Sequence, residues 1–201
     1  MNAAGPVRVV LTGEVGSGKT HACAAAAARL RDLKWEVAGI LSPGAWARNE
    51  KVAIDALDLR SGETRRLAER AGVESEAQGP ATPGWRFSGE TIAWCNSLLA
   101  DAIGCDMLVV DELGPLEFEY GEGLVQGMQA LDQGHFRLGL VVVRPRLLQA
   151  ARQRWPGAQV FTLRGPTEAS AVVERFVELA GTLKPSVRSA PTPRDQGRRN
   201  P

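Results

Sequence analysis

The chain has 201 residues, of which 44% are hydrophobic and 23% charged, and its formal net charge is +1. This length and composition are typical of one globular domain, and the small net charge gives no general case for binding nucleic acid or a membrane surface. No apolar run approaches the roughly 18 residues of a membrane span, and residues 1–10 lack the pattern of a secretory signal. We therefore expect a cytoplasmic protein whose three cysteines (Cys23, Cys95 and Cys105) are buried, reduced thiols.

Residues 13–20, with the sequence GEVGSGKT, match the phosphate-binding loop G-x-x-x-x-G-K-[ST] at every fixed position. The preceding β-branched run, residues 7–12, predicts a buried strand, and the Ala-rich residues 22–33 predict a helix. Backbone N–H groups of such a loop surround an anion, at which the positive end of the helix dipole also points. In this motif Lys19 contacts the β- and γ-phosphates and the Thr20 hydroxyl binds Mg²⁺. The predicted nucleotide-binding residues are Gly13, Glu14, Val15, Gly16, Ser17, Gly18, Lys19, Thr20 and His21.

The segment after the first helix predicts a second buried strand at residues 35–41 and then a small antiparallel excursion. Residues 52–59 and 63–67 are its two strands, with a turn between them. Residues 72–84 are rich in Gly and Pro and predict a long surface loop, of a kind that often covers a ligand. Ser88 is a candidate N-cap for a helix that reaches about residue 103.

The second half of the chain alternates predicted strands and helices. The strands are residues 107–110, 138–143 and 159–163, and the helices are residues 121–134, 146–155 and 167–179, the last with Thr167 as N-cap. Such alternation favours a mainly parallel sheet with helices on both faces. We expect a single domain over residues 1–183. Residues 184–201 hold five basic residues and one acid, and this basic tail is predicted to be disordered, either as a solvated terminus or as a tether for an acidic protein partner.

A second motif, MLVVDE at residues 107–112, is an apolar strand that ends in two acids. Ligands of parallel α/β sheets bind outside the carboxyl ends of the strands. Asp111 is therefore predicted to hold Mg²⁺ through water, and Glu112 to orient the attacking water and take its proton. If residues 138–143 lie between the phosphate-loop strand and this one, Arg144 reaches the same edge and could sense the γ-phosphate. The alternative for Arg144 is a surface arginine at the start of a helix.

These motifs together resemble the THEP1-type nucleoside-triphosphatases, above all in the segment VVDELGPLEF, and the resemblance covers most of residues 7–163. It implies a P-loop NTPase three-layer α/β sandwich of the branch that has an additional strand and a catalytic glutamate, with a β-hairpin excursion. It also implies Mg²⁺-dependent hydrolysis of ATP, GTP and other nucleoside triphosphates to diphosphates. Lys19 and Glu112 would be catalytic, and Thr20 and Asp111 would hold the metal. Glu117 is an accessory candidate, either on a water or as a brace for its loop, with a solvated loop acid as the alternative. Arg48, a partial match to the family pattern, is a second accessory candidate.

Two other classes of protein remain open from the sequence. A small-molecule or nucleotide kinase shares the phosphate loop, but residues 72–84 contain no Arg or Lys of the kind that kinase lids carry. A nucleotide-switched adaptor would use slow hydrolysis to reset its binding to a partner, and the basic tail is compatible with that role.

Overall fold

The computed structural model describes residues 5–48, 50–71 and 79–183. It contains ten strands: β1 Val7–Thr12, β2 Val37–Leu41, β3 Gly44–Ala47, β4 Glu50–Asp58, β5 Thr64–Arg70, β6 Ala81–Thr82, β7 Trp85–Phe87, β8 Met107–Leu113, β9 Leu138–Val143 and β10 Gln159–Thr162. Its α-helices are α1 Lys19–Asp32, α2 Gly89–Ala100, α3 Pro115–Phe118, α4 Val125–Gln133, α5 Leu148–Arg154 and α6 Ala169–Thr182. Within these residues, no helix is both long and apolar enough to cross a membrane.

All ten strands form one sheet, in the order β10-β1-β9-β8-β2-β4-β5-β7-β6, and β3 pairs with β4. The strands from β10 to β2 are parallel, and those from β4 onward are antiparallel. Val141 of β9 pairs with Val10 of β1 on one side and with Val110 of β8 on the other. The prediction that β9 lies between the phosphate-loop strand and the Asp-Glu strand is therefore confirmed. The carboxyl ends of these three strands lie side by side.

Helices cover both faces of the parallel part of the sheet, as the alternating pattern predicted. Alternate residues of β1 point to opposite faces: Val9 and Leu11 pack in the layer of α1 and α6, and Val10 packs in the layer of α2 and α4. β9 is buried along its whole length because it is central and covered on both sides. The three cysteines are buried and free, and burial raises the pKa of Cys95 to about 12 and that of Cys105 to about 11.

The antiparallel part of the sheet is larger than the predicted hairpin. The two predicted strands are present as β4 and β5, but residues 44–47, for which no strand was predicted, form β3 because they pair with β4. The predicted loop at residues 72–84 is also wrong in part, because residues 81–87 form a hairpin of β6 and β7 along β5. Residues 72–78 lie outside the described residues. These segments are strands because they pair with a neighbouring strand, and local composition does not reveal such pairing.

Several helix boundaries differ from those predicted. Ser88 is the N-cap of α2, since its hydroxyl accepts the Thr91 N–H at 3.2 Å. Thr167 is not an N-cap: it lies in a 3₁₀ turn, and α6 begins at Ala169 with no side-chain cap. α4 begins at Val125 and not at residue 121, because Gly121 and Gly123 have positive φ angles that end helical geometry. The predicted basic tail, residues 184–201, lies outside the described residues.

Candidate active site

The phosphate loop joins β1 to α1 and takes a conformation that its glycines permit. Gly16 and Gly18 have φ angles of 80° and 93°, in the left-handed region that L-residues rarely adopt. A Cβ atom on Gly13 would lie 2.2 Å from the Leu163 carbonyl oxygen. The loop can therefore be tightly curled and still pack against the residues that follow β10.

Lys19 is the buried cation of this loop. Its Nζ donates to the carbonyl oxygens of Gly13, at 2.8 Å, and Glu14, at 2.7 Å, so the side chain folds back across the loop. The side chains of Glu14, Val15 and His21 are exposed. These three predicted nucleotide-binding residues could therefore contact a bound nucleotide mainly through their backbone atoms or at the exposed edge of the loop.

Asp111 and Thr20 are brought together where the loop meets β8. Asp111 is buried, its Oδ2 accepts the Ser42 N–H at 3.1 Å, and its carboxylate is hydrogen-bonded to the Thr20 hydroxyl. Burial raises the pKa of Asp111 to about 6, although these hydrogen bonds act in the opposite direction. A carboxylate that is poorly solvated and has few donors of its own is suited to a cation.

The residues around this pair fit a magnesium ion coordinated in part by phosphate. Among the described residues there is no cluster of three His, Cys, Asp or Glu side chains that could hold a metal alone. Mg²⁺ in phosphate-binding sites needs only one or two protein oxygens, since waters and substrate phosphates complete its shell. The hydroxyls of Thr12 and Ser17 are also buried, with no hydrogen-bond partner in the part of the chain that the structure describes. Such orphaned polar groups are costly unless a ligand or water satisfies them.

Glu112 and Arg144 form an ion pair across the neighbouring ends of β8 and β9. The Arg144 Nε donates to the Glu112 Oε1 at 2.5 Å, and both side chains are partly exposed. The predicted strand 107–110 in fact continues to Leu113, which pairs with Val143 after a shift in register. The acidic pair thus lies within the last part of β8, with Asp111 buried and Glu112 facing a cavity.

This cavity, which we call the Glu112 cavity, has a volume of about 350 Å³. It lies between the antiparallel strands, α2 and the segment 112–124, and residues of all of these line it. Glu112, Arg144, Ser42 and Lys51 are at its polar side. The cavity therefore opens beside the acidic pair of the site.

Lys51 of β4 is a site residue that the sequence analysis missed. It is half-buried, lines the Glu112 cavity, and places its Nζ 5.5 Å from the centre of the Trp85 ring. Burial lowers the pKa of Lys51, while the carboxylates of Glu112 and Asp111 raise it. Nothing in its local sequence distinguishes it from a surface lysine, because its position depends on how β4 pairs with β3.

Of the two accessory candidates, Glu117 has clear contacts and Arg48 does not. The Glu117 oxygens accept the N–H groups of Gly114 and Leu124, both at 2.7 Å, so the side chain holds the segment 114–124 closed. Burial raises the pKa of Glu117. This is the bracing geometry that was one of its two predicted roles. Arg48 lies in the exposed turn after β3 and does not line the Glu112 cavity.

Comparison with known proteins gives a consistent result. A family model described as NTPase matches residues 8–164. The nucleoside-triphosphatase THEP1 of Methanopyrus kandleri is 30% identical over 115 residues, which are 57% of this chain and 61% of that protein. The match thus spans about three fifths of the relative's length.

Two solved structures share the fold. The solution structure of a human cancer-related nucleoside triphosphatase superposes with a TM-score of 0.67 at 18% identity, over 90% of this chain and all of that one. The crystal structure of THEP1 from the hyperthermophile Aquifex aeolicus gives a TM-score of 0.62 at 15% identity, over 87% of this chain and 99% of that one. At these identities the likeness concerns the fold.

Proposed function

This chain belongs to the NTPase family, and we propose that it hydrolyses nucleoside 5′-triphosphates, ATP and GTP among them, to diphosphate and phosphate with Mg²⁺. One observation carries the proposal: Lys19, Thr20, Asp111 and Glu112 come together at the carboxyl ends of strands that lie side by side. These are the group types that phosphoryl transfer to water requires: an anion cradle, a metal site and a carboxylate.

Binding of the triphosphate is assigned to the loop 13–20. Its N–H groups and the first turn of α1 supply donors for the phosphate oxygens. The Lys19 ammonium, now hydrogen-bonded to the two loop carbonyls, lies within the loop where it can reach the β- and γ-phosphates. Lys51 supplies a second cation from β4 for charge that develops on the γ-phosphoryl group.

Thr20 and Asp111 are the residues that would hold the magnesium ion. When bound, Mg²⁺ neutralises negative charge on the β- and γ-phosphate oxygens as the reaction proceeds. The pKa of Asp111, raised by burial to about 6, means that the carboxylate is largely ionised at neutral pH and available to a cation.

Glu112 is assigned to the water. Its carboxylate orients a water molecule in line with the γ-phosphorus and accepts one proton as the new O–P bond forms and the bond to the bridging oxygen breaks. Arg144 holds Glu112 through the ion pair at 2.5 Å and so fixes the direction of the carboxylate. The products are a nucleoside diphosphate, inorganic phosphate and the proton on Glu112.

The test is phosphate release from ATP, GTP and CTP with Mg²⁺, by wild type, Glu112→Gln and Lys19→Ala. We expect the wild type to release phosphate slowly from all three nucleotides. Glu112→Gln should still bind nucleotide but release no phosphate. Lys19→Ala should lose turnover, with or without loss of nucleotide binding. Glu122→Gln is the matched control, because Glu122 is an exposed glutamate of the same segment. Full turnover in Glu112→Gln would remove Glu112 from the reaction.

A further inference from the structure

The Glu112 cavity is larger than hydrolysis requires. A water molecule takes up about 30 Å³ in the liquid, so a volume of about 350 Å³ is roughly ten times what an attacking water needs. The volume is at the lower end of the range for small-molecule sites, roughly 300–1,000 Å³. The space therefore corresponds to a second small molecule, about the size of one substituted aromatic ring.

Much of the cavity wall is apolar. This apolar part is built from four elements and the N-cap residue of α4: Ile54 of β4, Leu67 of β5, Trp85 and Phe87 of β7, Ile92 of α2, and Leu124. These residues belong to or pack against the core, so the wall is held by the fold. Burial of the apolar part of a ligand there would contribute roughly 25 cal/mol of binding free energy per Å² of surface buried.

The polar residues of the cavity are the groups that a reacting hydroxyl would need. Glu112 can accept a proton, and Lys51 presents an ammonium that forms no ion pair within the described residues. Ser42 also lines the cavity. Its hydroxyl is buried and has no hydrogen-bond partner among the described residues, and its N–H donates to Asp111. The polar side of the cavity thus adjoins the residues assigned to the metal and to the γ-phosphate.

The charges that line the cavity indicate a neutral ligand. Three cations, Lys51, Arg144 and Arg146, face three carboxylates, Glu112, Glu117 and Glu119. Arg144 is paired with Glu112, and Glu117 is occupied by two backbone N–H groups. Lys51 forms no ion pair in the described parts of the chain, but it already interacts with the carboxylates of Glu112 and Asp111. An ionised ligand would therefore lose its hydration without a net opposite charge to replace it.

We propose that the Glu112 cavity binds a neutral alcohol with an apolar body, and that the γ-phosphoryl group is transferred to its hydroxyl. The alcohol oxygen forms a bond to the γ-phosphorus as the bond to the oxygen bridging to the β-phosphate breaks. The hydroxyl proton passes to the Glu112 carboxylate, and the nucleoside diphosphate leaves. This inference rests on the proposed function for the donor site, and it adds an acceptor other than water.

The probe for this test is benzyl alcohol, with ethanol as a comparison that has the hydroxyl but no ring. The full chain is incubated with ATP labelled in the γ-phosphate, Mg²⁺ and either alcohol, and the labelled products are separated. We expect labelled benzyl phosphate, in excess over ethyl phosphate by on the order of tenfold at equal concentration, since the ring gains apolar burial. Free labelled phosphate without benzyl phosphate would overturn the acceptor and leave hydrolysis standing. Neither product would overturn both.

Two tryptophan substitutions then locate the site. Thr82 lines the cavity from β6, and Thr82→Trp should fill part of it and lower benzyl phosphate formation at least tenfold with phosphate release retained. Arg86→Trp is the matched control, because Arg86 is an exposed residue of the same hairpin that does not line the cavity. Equal loss or equal retention of benzyl phosphate in both variants would remove the reaction from this cavity. The product analysis of the wild type does not depend on either variant folding.

Discussion

The Nε of Arg144 lies 2.5 Å from Oε1 of Glu112. This ion pair joins the carboxyl ends of the neighbouring parallel strands β8 and β9. Both side chains are partly exposed, so the pair contributes little to folding, on the order of 0–1 kcal/mol for such pairs. Its effect is on geometry, because a carboxylate held by a guanidinium has fewer orientations than a free one. The pair is therefore more important for the position of Glu112 than for stability.

Replacing Arg144 should accordingly lower turnover without unfolding the protein. We expect Arg144→Gln to lower kcat on the order of 10- to 100-fold, since misplacement of a catalytic group by about 1 Å can cost that much, and to leave the free energy of unfolding within about 1 kcal/mol of wild type. Steady-state phosphate release and urea unfolding measure the two quantities. Arg146→Gln is the control for loss of a nearby positive charge. Unchanged kcat in Arg144→Gln would show that the ion pair does not position Glu112.

Lys51 gives a prediction about the pH dependence of turnover. Burial lowers the pKa of Lys51 from its ordinary value of 10.5, so its positive charge is lost at a lower pH than that of an exposed lysine. If this charge stabilises the γ-phosphoryl group, kcat should fall as the pH rises through the lowered pKa. Lys51→Met should lower kcat below the lowered pKa and approach the wild type above it, because the wild-type charge is lost there as well. Lys51→Arg should restore activity and move the alkaline fall to higher pH, since arginine stays charged. A pH profile that is the same in wild type and Lys51→Arg would contradict this role.

The parts of the site that the sequence predicted are those that a local pattern defines. The phosphate loop is such a pattern, and the pair Asp111 and Glu112 follows an apolar run whose place in a parallel sheet implies where its end lies. The placement of Arg144 beside Glu112 required only the strand order, and β9 does lie between β1 and β8.

The parts that the sequence did not predict depend on contacts between distant segments. β3 exists because Gly44–Ala47 pairs with β4, and the short β6 and β7 exist because they extend the sheet beyond β5. Lys51 lies on β4 where β3 pairs with it, and Trp85 and Phe87 of the apolar wall lie on β7. These three residues therefore could not be assigned to the site before the pairing was known. The two predicted roles of Glu117 likewise could not be separated, because its partner Leu124 is seven residues away in a segment without regular periodicity.

Glu117 should matter for stability, in a way that depends on pH. The unfolded chain has the ordinary pKa of 4.5 and the folded chain a raised one, so the folded state binds more protons between these values. The contribution of Glu117 is then fully present below pH 4.5 and falls as the pH rises through the folded pKa, by about 1.4 kcal/mol for each pH unit that separates the two pKa values. Glu117→Gln should lack this slope. It should also be less stable by about 1–3 kcal/mol, because one amide group cannot accept both N–H groups.

Urea unfolding of wild type and Glu117→Gln from pH 4 to pH 8 measures both effects. The deficit of the variant should be largest at the acid end and become smaller toward neutral pH. Glu122→Gln, at an exposed glutamate of the same segment, should show no such change. A deficit that grows with pH would mean that the backbone donors outweigh burial and that the pKa of Glu117 is lowered.

Two glycines close to Glu117 allow the packing around its side chain to be tested separately from its charge. Gly121 and Gly123 have similar φ angles, 66° and 73°, so alanine at either position carries a similar backbone cost of about 1–2 kcal/mol. A Cβ on Gly121 would meet nothing within 4 Å, whereas one on Gly123 would lie 2.1 Å from Oε1 of Glu117. Gly123→Ala should therefore be less stable than Gly121→Ala by a further ~1–3 kcal/mol, the usual cost of overpacking.

The same clash should also lower turnover, because the Glu117 carboxylate accepts the N–H of Gly114, which directly follows β8. Gly123→Ala should displace this carboxylate and lower kcat more than Gly121→Ala does, with both variants assayed well below their unfolding temperatures. In the background of Glu117→Ala, where the clashing oxygen is gone, the difference between the two alanine variants should shrink. What is left is the approach of the new Cβ to the Leu116 Cβ, at 3.1 Å. If the difference between Gly123→Ala and Gly121→Ala is undiminished in that background, the clash is with another atom of the segment, and Glu117 is not the contact that requires glycine at position 123.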